Sequence, residues 1–94
     1  MLASIVAGFL GGVFAGNGVP HFVQGITRGS YPCLLGNSSL PNLVAGWASF
    51  VLAALLLQVA AFDRYPSVVE ASAAVGVLVI GVYHAAGLAF GRKP

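Results

Sequence analysis

The sequence contains very little electrical charge. Four of its 94 residues are Lys or Arg and two are Asp or Glu, so only 6% of the chain is charged. An average soluble domain has about a quarter of its residues charged, and a small domain needs that charge because most of its residues lie near the surface. The deficit therefore excludes a soluble globular domain. It also excludes a disordered chain, which combines low hydrophobicity with high net charge.

The small numbers of cations and cysteines exclude further classes of function. Four scattered cations are too few to neutralise a phosphate backbone, so nucleic acid is excluded as a partner. The single cysteine, Cys33, excludes an internal disulfide and a metal site built from cysteines alone. No Lys or Arg precedes Arg28, so the apolar N-terminal segment lacks the basic region of a signal peptide and is predicted to be a retained helix.

Catalytic motifs are also missing from the sequence. We find no spacing typical of a Ser-His-Asp or Cys-His site, no phosphate-binding loop and no metal-binding cysteine motif. The prediction is that the chain is not itself an enzyme, although it could be a subunit of an enzyme complex.

Hydrophobic residues, in contrast, make up 59% of the chain. A helix needs about 20 mostly apolar residues to cross the hydrocarbon core of a bilayer. Three segments qualify, at about residues 2–24, 42–62 and 67–90, with a loop over residues 25–41. Only residues 63–66 separate the second span from the third, which forces an antiparallel hairpin. We predict a single all-α transmembrane domain over residues 1–94, a small up-down-up bundle of three transmembrane helices in contact with membrane lipids.

The cations near the span ends predict the orientation. The loop and the C-terminus share one side of the membrane and carry Arg28, Arg92 and Lys93. The other side carries Arg64 and the terminal amine. The larger number of cations on the side of the loop and the C-terminus predicts that this side faces the cytoplasm and that the N-terminus lies outside the cell.

Small residues recur every fourth position in the first span. Ser4, Gly8, Gly12 and Gly16 form three overlapping small-xxx-small steps, and such steps let helix backbones approach closely in lipid. We predict that this face packs against another helix, of the same chain or of another one. Because three thin helices leave much surface uncovered, we favour a partner chain in addition.

Polar residues gather where the first span ends. Asn17, His21 and Gln24 fall on one helical face, and Pro20 interrupts the helical hydrogen bonds there, so we expect a kink. His84 lies at a similar predicted depth in the third span. Two facing imidazoles could ligate a haem iron, a chlorin magnesium or a transition metal, or bind a quinone carbonyl. Four residues from the same side could line such a pocket: Arg28, Tyr31, Cys33 and Tyr83. The preferred interpretation is structural, with both histidines hydrogen-bonded and no cofactor within this chain.

The third span contains a carboxylate, Glu70, that is a further candidate for a functional residue. Ser67 and Glu70 have the spacing of a capping box, in which each side chain bonds a free amide at the helix start. Glu70 is also the only Glu, and a single buried carboxylate can serve a proton-coupled carrier. The predicted place of Glu70 in the first helical turn favours a position at the membrane interface rather than buried within the membrane.

The stretch from Asn17 to Thr27 resembles a motif of uncharacterised small bacterial inner-membrane proteins, Asn-x-x-Pro-His-Phe-x-x-Gly. The resemblance continues through Tyr31-Pro32, Ser38-Ser39, Asn42 and Trp47, and it departs from the motif at Cys33-Leu34-Leu35. It implies a bacterial inner-membrane location and carries no activity.

These observations lead to one principal hypothesis and two alternatives. The principal hypothesis is a non-catalytic accessory subunit of a larger bacterial membrane complex, respiratory or photosynthetic, which docks on other subunits through its small-residue helix faces. The first alternative is a subunit that binds haem, chlorin or quinone through His21 and His84. The second is a homo-oligomeric carrier of a small solute or of protons that uses Glu70.

Overall fold

Three helices make up most of the described part of the chain. The computed structural model describes residues 1–61 and 65–87, and they contain α1 (Leu2–Ile26), α2 (Ser39–Ala61) and α3 (Pro66–Ala85). Each helix is long and apolar enough to cross a membrane. The predicted all-helical fold with three spans is confirmed. The cations Arg64, Arg92 and Lys93, on which the predicted orientation depends, lie outside the described residues.

The helix ends differ from the predicted ones, most of all in α3. This helix ends at Ala85 rather than near residue 90, because Gly87 adopts the left-handed conformation (φ 74°) that terminates helices. His84 consequently lies in the last turn of α3 and not well below its end. At the other boundaries, α1 continues through Pro20 to Ile26 and α2 begins at Ser39, which shortens the loop to residues 27–38.

The predicted capping box at the start of α3 does not form. The helix begins at Pro66, its N-cap residue is Tyr65, and no side chain caps it. Proline suits the first helical position because its φ is already helical and it has no amide hydrogen that needs a partner. Since the helix starts one residue before Ser67, that hydroxyl is past the cap position, and Glu70 is exposed in the second turn.

Helix α1 lies between the other two helices, and nearly all contacts between helices involve it. The contact register gives the directions of the helices. Successive positions of α1 meet successive positions of α3, so these two helices are parallel: Gly8 lies near Val69, Gly12 near Ala73 and Gly16 near Val77. The order is reversed in α2, which is therefore antiparallel to α1: Ser4 meets Ala60, Gly11 meets Leu57 and Gly25 meets Leu43.

The small-residue face of α1 is covered within the chain itself. A methyl group on Gly12 would overlap the carbonyl oxygen of Ala73 in α3, and one on Gly16 would lie 2.6 Å from a methyl carbon of Ile80. Ser4 is buried and donates to the carbonyl oxygen of Ala60 in α2 over 3.2 Å. A partner chain expected to dock on this face would find it occupied, because α2 and α3 already use it for close packing.

The outer surface of the bundle is apolar. Large hydrophobic side chains are exposed on all three helices, and α3 buries the smallest share of its span, with Leu78 66% exposed and Val82 56% exposed. A surface of this kind suits hydrocarbon, in which exposed apolar side chains carry no penalty. The protein is therefore a multi-pass membrane protein whose helices contact lipid.

Candidate functional site

One group of buried and half-buried polar side chains lies where the C-terminal ends of α1 and α3 meet the start of α2. We call it the polar cluster. Its six members come from all three helices and from the loop: Asn17, His21, Tyr31, Asn42, Ser49 and His84. Polar side chains at membrane depth need partners because lipid supplies none.

Asn42 anchors the cluster to the loop backbone. Its side chain is 0% exposed. Its amide nitrogen lies 2.9 to 3.1 Å from the carbonyl oxygens of Tyr31, Asn37 and Ser38. Three carbonyl acceptors fix this end of the side chain as the nitrogen, so its oxygen must be the end that faces His21.

This orientation sets the tautomer of the neutral His21 ring. The Asn42 side-chain oxygen lies 2.6 Å from His21 Nδ1. An amide oxygen can only accept, so Nδ1 carries the hydrogen and donates it. A neutral imidazole has one N–H and one lone pair, and the lone pair of His21 is therefore on Nε2.

His84 joins α3 to the rest of the cluster through both of its ring nitrogens. Nε2 lies 2.8 Å from the side-chain oxygen of Asn17 in α1, and Nδ1 lies 3.1 Å from the hydroxyl of Tyr31 in the loop. The Asn17 amide in turn donates to Ser49 in α2 over 3.3 Å. A continuous series of hydrogen bonds thus connects α3, α1 and α2.

The two histidines are neighbours. Their ring centroids are 5.7 Å apart with the planes at 78°, and the Tyr31 ring lies 5.4 Å from that of His21. The predicted similarity in depth thus corresponds to close proximity in the structure. It arises because parallel α1 and α3 both end on the side where the loop folds across them.

A small cavity of about 150 Å³ lies beside the histidines, lined by Asn17, His21, Pro32, Cys33, Leu34, Tyr83 and His84. Pockets for drug-sized ligands measure about 300 to 1,000 Å³, so a haem or chlorin macrocycle does not fit. His84 also has both ring nitrogens in hydrogen bonds. The predicted use of His21 and His84 as a pair of axial ligands therefore does not fit this arrangement.

A metal ion held by this chain alone is not supported by the described residues. Among residues 1–61 and 65–87, no group of three or more His, Cys, Asp or Glu side chains is placed to hold one. Cys33 is buried, and its sulfur lies 4.0 Å from the carbonyl oxygen of Pro41.

Several other predicted residues lie outside the cluster. The Gln24 side chain packs against Gly29, and Pro20 is half-buried within α1. Arg28 is exposed in the loop. Glu70 lines a separate pocket near the start of α3, at the end of that helix opposite the cluster.

No protein-family model, curated protein or solved structure matches this chain.

Two residues of the cluster, Asn42 and Ser49, are not predicted from the sequence to belong to a site. A signal for them exists, since they are buried polar residues seven positions apart, which places them on one face of α2. Asn17 and Gln24 in α1 have the same spacing. A comparison of the polar faces of neighbouring spans would therefore identify Asn42 and Ser49 as candidates.

Proposed function

We propose that this protein is a non-catalytic accessory subunit of a larger bacterial membrane complex, of the respiratory or photosynthetic kind. The observation that carries the proposal is the direction of the polar cluster's hydrogen bonds. They run from helix to helix and from helix to loop, and they leave both nitrogens of His84 and both polar ends of Asn17 engaged. Side chains used in this way hold a scaffold together.

The cluster and the glycine contacts act at different places in the bundle. Close packing of Gly8 and Gly12 on α3 joins the first halves of α1 and α3. The cluster joins their C-terminal ends to α2 and to the loop. Hydrogen bonds between membrane helices contribute about 0.6 kcal/mol on average and up to about 2 kcal/mol. Several of them together favour one arrangement of the three helices.

The proposed docking surface is the outward face of α3. The small-residue face of α1 is covered by α2 and α3, so a partner subunit has to contact another surface. Helix α3 buries the least of its span, and Val75, Leu78 and Val82 are exposed on it. This face can pack against a transmembrane helix of a partner as readily as against lipid.

Photo-crosslinking in the native membrane tests the docking surface. A photoreactive residue in place of Leu78 is expected to give one discrete protein adduct. The matched control replaces Leu55 of α2, which is also exposed, and should give mainly lipid adducts. Purification in mild detergent provides a second readout. A lone monomer without stoichiometric partners would refute the proposal.

For the orientation we propose an N-terminus outside and a C-terminus in the cytoplasm of the bacterial inner membrane. The support is the excess of cations predicted for the loop side. A Ser30→Cys variant in a Cys33→Ala background tests it, because Ser30 is exposed in the loop. An impermeant thiol reagent should label it in inside-out vesicles only. Labelling in intact spheroplasts would reverse the assignment.

A further inference from the structure

We propose that the cavity beside His21 binds a single aromatic ring that bears a hydroxyl group, the class of phenols to which membrane quinols belong. The hydroxyl would donate a hydrogen bond to Nε2 of His21. This ligand site goes beyond the scaffold role proposed above and does not depend on it.

The first support is an acceptor that lacks a donor. His21 Nδ1 donates to Asn42, so the lone pair is on Nε2. No residue of the described ranges bonds Nε2. Within those ranges every fully buried side-chain nitrogen or oxygen has a partner, so Nε2 keeps contact with open space. His21 as a whole is only 6% exposed, and the open space that it lines is the cavity.

The second support is the size and shape of the cavity. Its volume is about 150 Å³, and a protein cavity of about that volume accommodates a benzene ring. The walls include the flat or cyclic side chains of Pro32, Tyr83 and His84, which suit contact with a ring. The ligand therefore has one ring rather than a fused system or a macrocycle.

The third support is the route to the cavity. Leu34 and Tyr83 line it and are 76% and 36% exposed, so the cavity is reached from the protein surface near the ends of α1 and α3. An amphipathic phenol concentrates at this level of a membrane, with its ring in the apolar region and its hydroxyl near polar groups.

The tautomer of His21 makes the site selective for the oxidation state of the ligand. A quinol has hydroxyl groups that donate to Nε2. An oxidised quinone has only carbonyl acceptors, and these oppose the imidazole lone pair. We therefore expect the reduced form to bind and the oxidised form to bind more weakly.

Nuclear magnetic resonance of the intact chain in nanodiscs, with ¹⁵N-labelled histidine side chains, tests the site. The probe is 1,4-hydroquinone under anaerobic conditions, and its matched control is 1,4-dimethoxybenzene, which has the same ring without a donor. Hydroquinone should shift the His21 Nε2 resonance saturably. The ether should bind about tenfold more weakly, since one hydrogen bond is lost. His84 Nε2, which already faces Asn17, should shift much less and serves as an internal control.

Each outcome decides the proposal. No shift with hydroquinone, or equal shifts with hydroquinone and the ether, would overturn it and leave a water-filled cavity. A shift produced by Zn²⁺ but not by hydroquinone would overturn it in favour of a metal. A decyl-tailed hydroquinone that binds more tightly than the free ring identifies a membrane quinol, whereas equal binding identifies a soluble phenol. The crosslinking of Leu78 is independent of all these outcomes, so the scaffold role and the ligand site can fail separately.

Discussion

At the residue scale, Asn42 is the side chain on which the polar cluster depends most. It contacts His21 and three backbone carbonyls while fully buried. Replacement by alanine removes the partner of the buried His21 Nδ1, whereas the carbonyls of Asn37 and Ser38 keep backbone hydrogen bonds. A buried unsatisfied group costs about 1 to 3 kcal/mol. We expect Asn42→Ala to lower the free energy of unfolding by about 2 to 3 kcal/mol, measured by titrating mixed micelles with dodecyl sulfate. Gln58→Ala, at an exposed amide of α2, is the control and should change it by less than about 0.5 kcal/mol. Equal effects of the two variants would contradict the anchoring role.

The Tyr31 hydroxyl links the loop to α3 through a hydrogen bond with His84. Tyr31→Phe keeps the ring that packs on His21 and removes the bond to His84 Nδ1. The expected loss in the free energy of unfolding is about 1 kcal/mol, the typical net value of one hydrogen bond. Tyr65→Phe, at an exposed tyrosine before α3, is the matched control and should have no measurable effect in the same titration. A stability of Tyr31→Phe equal to that of the parent chain would show that this hydrogen bond does not stabilise the attachment of α3.

The cluster also shows which residue-scale features a sequence can reveal. The proximity of His21 and His84 was predictable because both are polar residues near the same end of parallel spans. The role of Asn42 was not, because it depends on the path of the loop, which brings the carbonyls of Tyr31 and Asn37 to one amide group. A loop path is set by many weak local preferences, and hydropathy does not encode it.

At the element scale, the contact between α1 and α3 rests on glycine. Gly12 faces the Ala73 carbonyl so closely that a methyl group cannot be accommodated, whereas a methyl group on Gly81 would meet no atom within 4 Å. Gly12→Ala should therefore separate the helices locally and lower the free energy of unfolding by about 1 to 3 kcal/mol, the usual cost of overpacking. Gly81→Ala, the same chemical change on α3, should be neutral or slightly stabilising because alanine favours a helix. Equal unfolding transitions for the two variants would argue against close packing of α1 on α3.

The helix boundaries illustrate the limits of hydropathy at this scale. Three apolar runs of sufficient length predicted the three helices, because the bilayer fixes how much apolar sequence a span needs. The end of α3 was missed because Gly87 lies inside an apolar run and looks like a residue of the span. Its positive φ ends the helix through local backbone geometry, so His84 lies in the last turn of α3.

At the scale of the whole molecule, α3 is attached almost entirely through α1. It makes few contacts with α2 and buries the smallest share of its span. The α1–α2 pair has the more extensive interface and includes the buried bonds from Ser4 to Ala60 and from His21 to Asn42. We therefore predict two steps when the chain is unfolded by force in a bilayer, with α3 leaving before α1 and α2 separate. Magnetic tweezers with handles at both termini would resolve these steps.

Two single-residue variants serve as controls for the predicted order of unfolding. Gly12→Ala weakens only the contact with α3, so it should lower the force of the first step and leave the second unchanged. Asn42→Ala removes the bond between α1 and α2 together with the loop contacts, so it should lower the force of the second step as well. A single cooperative transition, shifted alike by both variants, would show that the three helices unfold as one unit. In that case α3 could not adjust separately to a partner, and the proposed docking face would have to work as part of a rigid bundle.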